Sequence, residues 1–212
     1  MKNKIIILSF LLVGCGHVPT AQHTMRSLNN CVIVENSIFK VWYNEIYEQP
    51  IRLIYTATNR EKNVDRGSMS FHVEPAVHTS DNYDYKNNIW DKGHIAPAAS
   101  YSDSEANLYS TFSFLNCTLQ HESLNRGQWR ILEEQERAWD DVENLTIVVD
   151  LMFDAHHIIL PTGAHVPTKL IKHIYFDDSK IYKCFEFKND KPVKNWKDHE
   201  VDHYHKAKLN LN

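Results

Sequence analysis

Apolar and polar positions along the chain divide it into short extended segments and one long amphipathic stretch. Residues 51–56 (Ile-Arg-Leu-Ile-Tyr-Thr) combine β-branched and aromatic side chains and predict a strand. Residues 145–149 predict a buried strand, and 181–187, where apolar positions partly alternate, predict another. Short apolar patches occupy 31–40, and 158–163 reads as a strand running into a turn at Gly163. Residues 166–176 read as strand or short helix, and 89–95 as an extended segment that Pro97 ends, having no N–H to give a ladder. A short helix is predicted over 104–109, capped by Asp103 or Ser102. The best helix spans 124–139: Glu133, Glu134, Gln135 and Glu136 are good helix formers, and Trp129, Leu132 and Trp139 share a face. Residues 57–88 are loop-rich. With no repeat and no interior linker, residues 31–212 read as one α+β domain.

The amino terminus follows a different pattern. Lys2 and Lys4 precede an apolar run over 5–13, broken only by Ser9 and far short of the roughly 20 residues that span a bilayer. The run closes with Leu12-Val13-Gly14-Cys15, which resembles the lipobox of bacterial lipoproteins. That resemblance implies cleavage of residues 1–14, lipidation of Cys15 and anchoring to a membrane, with Gly16 favouring the outer membrane or cell surface. An ordinary secretory signal with periplasmic or secreted product is the alternative, and export is common to both. Residues 15–30 read as a polar tether.

Composition narrows the function classes. A hydrophobic fraction of 42% with 24% charged residues is that of a folded globule, which excludes a disordered tail. The formal charge of −4 becomes −6 once residues 1–14 are gone, which speaks against a protein that coats nucleic acid. Apart from Cys15, Cys31, Cys117 and Cys184 leave room for one disulfide in an oxidising compartment, with no pairing indicated. No Cys-x-x-Cys motif supports a zinc ribbon.

The chemistry concentrates in three blocks. Asp91-Lys92-Gly93-His94-Ile95-Ala96-Pro97 comes first, then Asn116-Cys117-Thr118-Leu119-Gln120, then Leu124-Asn125-Arg126-Gly127-Gln128-Trp129 through Leu132-Glu133 to Arg137. Their order and spacing resemble the DNA/RNA non-specific endonuclease family, whose site is a ββα-metal, or His-Me, finger. The likeness extends over residues 50–177, including Val166-Pro167-Thr168. It implies an α+β fold with a mixed or antiparallel central sheet flanked by helices, and hydrolysis of DNA and RNA with Mg²⁺, or Mn²⁺, as cofactor. By the same likeness His94, Glu133 and Arg137 are catalytic, Asn125 is the metal ligand, and Asn116 lines the site. Lys92, Arg66 and Arg126 contact substrate, Arg66 on the loosest correspondence.

The residue types suit that chemistry independently. His94 has an ordinary pKa near 6.5 and can take a proton from water around neutral pH. Asn125 offers a neutral carbonyl oxygen, adequate as sole protein ligand for a Mg²⁺ ion that keeps several waters. Glu133 lies eight residues further, roughly 12 Å along an ideal helix, which makes shared ligation awkward; the resemblance implies a role through metal-bound water, with Arg137 neutralising phosphate charge or holding Glu133. Read singly, each residue has a plainer role: a solvated loop histidine, a helix cap, a surface ion pair. Two positions depart from the family pattern. Lys92 replaces its usual arginine and loses a bidentate fork, and Asp150-Leu151-Met152 follows the central strand where Gly-Pro is usual. Two rival functions stay open. One is a catalytically silent nucleic-acid-binding surface lipoprotein on the same fold. The other is a metal-binding lipoprotein using the histidines of 198–205, a stretch that also reads as a solvated terminal helix.

Overall fold

A computed structural model describes residues 31–202, together with the backbone of Ile6–Ile7 and Thr24–Leu28. Cys15, the rest of the leader-like residues 1–14 and His203 onward lie outside the described residues. The strands are β1 (Ile6–Ile7), β2 (Thr24–Leu28), β3 (Cys31–Glu35), β4 (Phe39–Asn44), β5 (Gln49–Ala57), β6 (Trp90–His94), β7 (Cys117–His121), β8 (Leu145–Met152), β9 (Lys169–Phe176) and β10 (Tyr182–Lys188). Eight of them form one sheet in the order β1-β2-β3-β4-β5-β8-β9-β10, and β6 and β7 form a separate hairpin-like pair. Every pairing between these strands is antiparallel.

The apolar patches of 31–40 resolve into β3 and the start of β4. In β4 the alternation is strict, with Phe39, Val41 and Tyr43 buried and Lys40, Trp42 and Asn44 facing outward, as a sheet with one solvated face requires. The buried face continues through Leu53 and Tyr55, Ile147 and Val149, Leu170 and Ile174, and Phe185 and Phe187. Against it pack Trp129 and Leu132, both fully buried, from the helical segment.

The opposite face of the sheet is polar at its centre. Arg52 forks onto Asp150 with contacts of 2.5 and 2.8 Å, His173 Nε2 lies 3.3 Å from the same carboxylate, and Tyr182 OH is 2.8 Å from His173 Nδ1. Asp150 thus has a role on the far side of the sheet, where it interlocks β5, β8 and β9. Its departure from the family pattern is a matter of scaffold.

Several elements differ from expectation. The first helix, α1, is Glu105–Thr111 and its cap is Ser104, whose hydroxyl accepts from Asn107 N. Asp103 is instead engaged by Asn107 Nδ2 and Arg60. Residues 158–163 form only an isolated bridge, Ile159 to His165, because Pro161 interrupts the ladder and Gly163 turns at φ +115°. His157 lies in this loop, 2.6 Å from His165. The terminal helix reduces, within the described residues, to one 3₁₀ turn at Trp196–His199 capped by Asn195. There His199 Nδ1 lies 3.0 Å from Glu186 O and its ring stacks on Phe187. Cys31, Cys117 and Cys184 are free thiols.

Candidate active site

The pair β6–β7 leads directly into the helical segment. Gly93 is opposite Thr118 and His94 opposite Cys117. Gly93 is required by close approach: a Cβ there would lie 2.3 Å from Gln120 Oε1 and 2.7 Å from Gln120 Cβ. After β7 come a short turn, α2 (Glu122–Leu124), a π-helical turn over Asn125–Trp129, and α3 (Arg130–Asp140). The predicted single helix over 124–139 is therefore broken near its start. Gly127 leaves helical geometry at φ −107°, ψ −112°, and wide turns of this kind are common at functional sites. Two strands followed by a helix hold the three sequence blocks side by side.

A cleft of about 790 Å³ opens between this unit and the loop preceding β6. His94, Lys92, Asn125, Glu133, Arg137 and Arg66 all line it, with Phe71, Tyr85, Trp90 and Arg130. Six of the eight residues assigned from sequence to catalysis, metal or substrate thus meet in one place. The other two need correction. Asn116 is fully buried and does not line the cleft. Its Oδ1 accepts from Ala96 N at 2.8 Å, and its Nδ2 donates to Ala96 O and Thr111 O at 2.9 Å. It is a clamp on the segment after His94, not a site-lining group. Arg126 is exposed and turned onto Asp91, with bonds of 2.8 and 2.6 Å, and onto Glu122 at 3.4 Å.

His94 is held between Phe71 and Phe112, with ring centroids 4.7 and 4.9 Å away. Its Nε2 is buried with no partner among the described residues. Nδ1 has no hydrogen-bond partner among the described residues, and the side chain lines the cleft. Burial, and secondarily the positive charge of Arg66, push the imidazole down to about 3. At neutral pH His94 is therefore an uncharged base. Phe71 and Phe112 gave no signal in the sequence blocks, since an aromatic in a loop reads as incidental packing.

Asn125 is oriented by Asp91, a residue assigned no role from sequence. Asp91 Oδ2 accepts from Asn125 Nδ2 at 2.9 Å, which leaves the Asn125 carbonyl oxygen free of any protein partner among the described residues. Burial would raise the Asp91 carboxyl, but the bonds from Arg126 and Asn125 outweigh it and hold the group below its usual range. The first letter of the Asp-Lys-Gly-His block thus fixes the amide of the third block. No group of three His, Cys, Asp or Glu side chains capable of holding a metal occurs among the described residues. A lone amide oxygen in a polar cleft fits a hard cation that retains water, and not a zinc-type cage.

Burial pushes Glu133 up to about 7, with Lys172 acting against it, Glu136 adding to it, and Arg137 acting against it. The buried indole N–H of Trp129 also favours the charged form without closing a hydrogen bond. No ion pair within 4.0 Å joins Glu133 to Arg137, so the expected i, i+4 bridge is absent. Arg137 does not hold Glu133 and makes no hydrogen bond among the described residues. Lys92 is bound to Asn82 Oδ1 and lies within 5.8 Å of the Phe71, Tyr85 and Phe114 rings. A single ammonium suits that ring of aromatics, although it lacks the fork of an arginine.

A family model of DNA/RNA non-specific endonucleases matches residues 21–209. The chain belongs to this family. Mitochondrial endonuclease G of Bos taurus is 34% identical over 77 residues, 35% of this chain and 26% of that protein. The Homo sapiens protein is 32% identical over the same shares. The chain thus matches about a quarter of the length of these relatives. Among solved structures, a crystal structure of the EndoG/EndoGI complex superposes with a TM-score of 0.73 at 19% identity, covering 80% of each chain. That likeness shows the fold, an α+β architecture on a large antiparallel sheet.

Proposed function

We propose that this protein is a divalent-metal-dependent, sugar-non-specific endonuclease that hydrolyses phosphodiester bonds in DNA and RNA. One observation carries the reading: an uncharged, partly buried imidazole shares a cleft with an amide oxygen oriented for a cation and with three uncommitted or lightly committed cations. His94 Nδ1 takes the proton of the attacking water, for which its uncharged state at neutral pH is required. Asn125 would hold the cation, Mg²⁺ or Mn²⁺. When bound, the ion supplies Lewis-acid neutralisation of the phosphate and the departing oxygen. Glu133 in its charged form accepts hydrogen bonds from water in the cleft. Arg66, Lys92 and Arg137 meet the phosphate, Arg137 with its guanidinium free to do so. Contacts of this kind address backbone and not base edges, which supports little sequence preference.

Export belongs to the same proposal. It rests on the leader-like residues 1–14 and on Cys15 as lipid attachment site, which would place the nuclease at the outer membrane or cell surface. No helix among the described residues is long and apolar enough to cross a membrane.

The deciding experiment is plasmid nicking by the mature protein with Mg²⁺, with EDTA, and with His94→Ala. Metal-dependent nicking that falls by about 10²-fold or more in the variant is expected. Undiminished Mg²⁺-dependent nicking by His94→Ala would sink the assignment of the base. Absence of nicking by the unaltered protein, with DNA binding retained, would favour the silent nucleic-acid-binding reading.

A further inference from the structure

Directly beneath the catalytic helix lies an ion pair that the reaction does not touch. Lys172 Nζ, from the middle of β9, is 2.6 Å from Glu136 Oε1 of α3, and both side chains are wholly inaccessible to solvent. Tyr55 of β5 closes the triangle: its hydroxyl is 2.8 Å from Glu136 Oε2 and 3.3 Å from Lys172 Nζ. The same ammonium stands 4.1 Å from the centre of the Trp129 ring. Trp129 is four residues from Asn125 on one side and from Glu133 on the other, and Glu136 is one turn from Glu133.

A buried ion pair is weak evidence for stability, because desolvating two charges offsets most of their attraction and an apolar pair of similar volume does as well or better. Packing alone therefore does not account for one charge of each sign at this depth, next to a helix that carries a functional carboxylate. The arrangement does have an electrostatic consequence. Glu133 sits half-buried, where an isolated carboxylate would be neutral near pH 7. Around it are Lys172 and Tyr55 from the sheet, Glu136 and Arg137 on its own helix, and the Trp129 indole. Across the cleft are Arg66 and Lys92.

We propose that Lys172 and Glu136 are positioning residues for Glu133: Glu136 stands one turn along α3 from it, and Lys172, bound to Glu136, lies over Trp129, one turn away on the other side. The pair acts on the reaction only through Glu133, so its effect on catalysis rests on the function proposed above. Its effect on the Glu133 carboxyl does not. Burial raises that carboxyl into the neutral range, and of the neighbouring charges Lys172 counters this most, while Glu136 adds to it.

The test is a titration of Glu133 in metal-free protein, followed by ¹³C NMR of labelled glutamate carboxyls and assigned with Glu133→Gln. Lys172→Met should raise the midpoint and Glu136→Gln should lower it, each by about one pH unit. Opposite signs are the signature, since damage to packing would move both variants the same way or abolish folding. If Lys172→Met fails to fold, Glu136→Gln decides alone, because it keeps the size and a hydrogen-bonding oxygen for Lys172 and Tyr55. A downward midpoint supports the proposal, and an unchanged or raised midpoint overturns it. Activity against pH is measured in parallel, with its acid limb expected to follow the NMR midpoint. A midpoint that moves while the acid limb stays would refute the role assigned to Glu133 and leave the electrostatic pairing standing. An acid limb that moves without the midpoint would refute the pairing.

Discussion

In the proposed reaction Glu133 works charged, where burial makes charge expensive. Its carboxyl is pushed up to about 7 in the folded protein, against about 4.3 for an unconstrained glutamate. A carboxyl whose folded pKa is raised supports stability below the unfolded value, and that support is lost as pH rises through the folded value. The window here runs from about pH 4.3 to about pH 7. Glu133→Gln is therefore expected to be inactive yet more stable than the unaltered protein at pH 8, by about 1–2 kcal/mol after discounting for solvent screening. The gain should vanish toward pH 4. Thermal melts of both proteins across that range check this, and equal melting points at pH 8 would show that the cleft solvates the carboxylate freely. His94 has the opposite sign. Its neutral form is favoured, so its contribution is present above pH 6.5 and falls away as pH drops toward about 3.

At the scale of elements, what matters is how three sequence blocks come to share one cleft. Strand β6 places His94, the π-turn places Asn125, α3 places Glu133 and Arg137, and the β6–β7 register holds the first two together. That register depends on Gly93, whose missing Cβ makes room for Gln120. Gly93→Ala should force the strands apart, costing about 1–3 kcal/mol as overpacking does and lowering kcat more than it raises KM. Chemical denaturation and steady-state kinetics read these separately, and a variant of unchanged stability would mean that Gln120 swings aside. The strands that carry the sheet were legible because alternation and β-branching are local signals, and the cleft residues because their three blocks resemble a family pattern. Asn116 was legible as a block member but not in its role. An Asn that bonds two backbone carbonyls and one N–H looks the same in sequence as one that faces substrate. The same holds for Asp91, whose meaning lies in a partner 34 residues away. The Lys172–Glu136 pair left no trace in the sequence, since a buried lysine on a strand cannot be told from a solvated one without the tertiary fold. The break at Gly127 was hidden because the good helix formers on either side dominate the pattern.

For the molecule as a whole, the question is how a chain of net charge −4 would handle a polyanion. Exposed lysines such as Lys62, Lys180, Lys188, Lys191 and Lys194 lie outside the cleft, in a chain whose acidic residues outnumber its basic ones. Arg66, Lys92, Arg130 and Arg137 are gathered in the cleft, where Asp91, Glu133 and Glu134 partly offset them. Binding should therefore be weak and confined to few phosphates. If three or four are neutralised, log Kd should rise against log salt with a slope of about 2.7 to 3.6, a loss of about 40- to 150-fold in affinity between 50 and 200 mM salt. The measurement uses duplex DNA and the His94→Ala protein, so that binding is read without cleavage. Arg130→Ala should lower the slope by about one, because its guanidinium is exposed and paired only with Glu134 and a backbone carbonyl. Arg126→Ala should leave the slope unchanged, since that arginine is spent on Asp91 and Glu122. A slope near zero would mean that the metal carries nearly all of the phosphate contact. A much steeper one would place further cations on the path of the strand, outside the cleft that the fold presents.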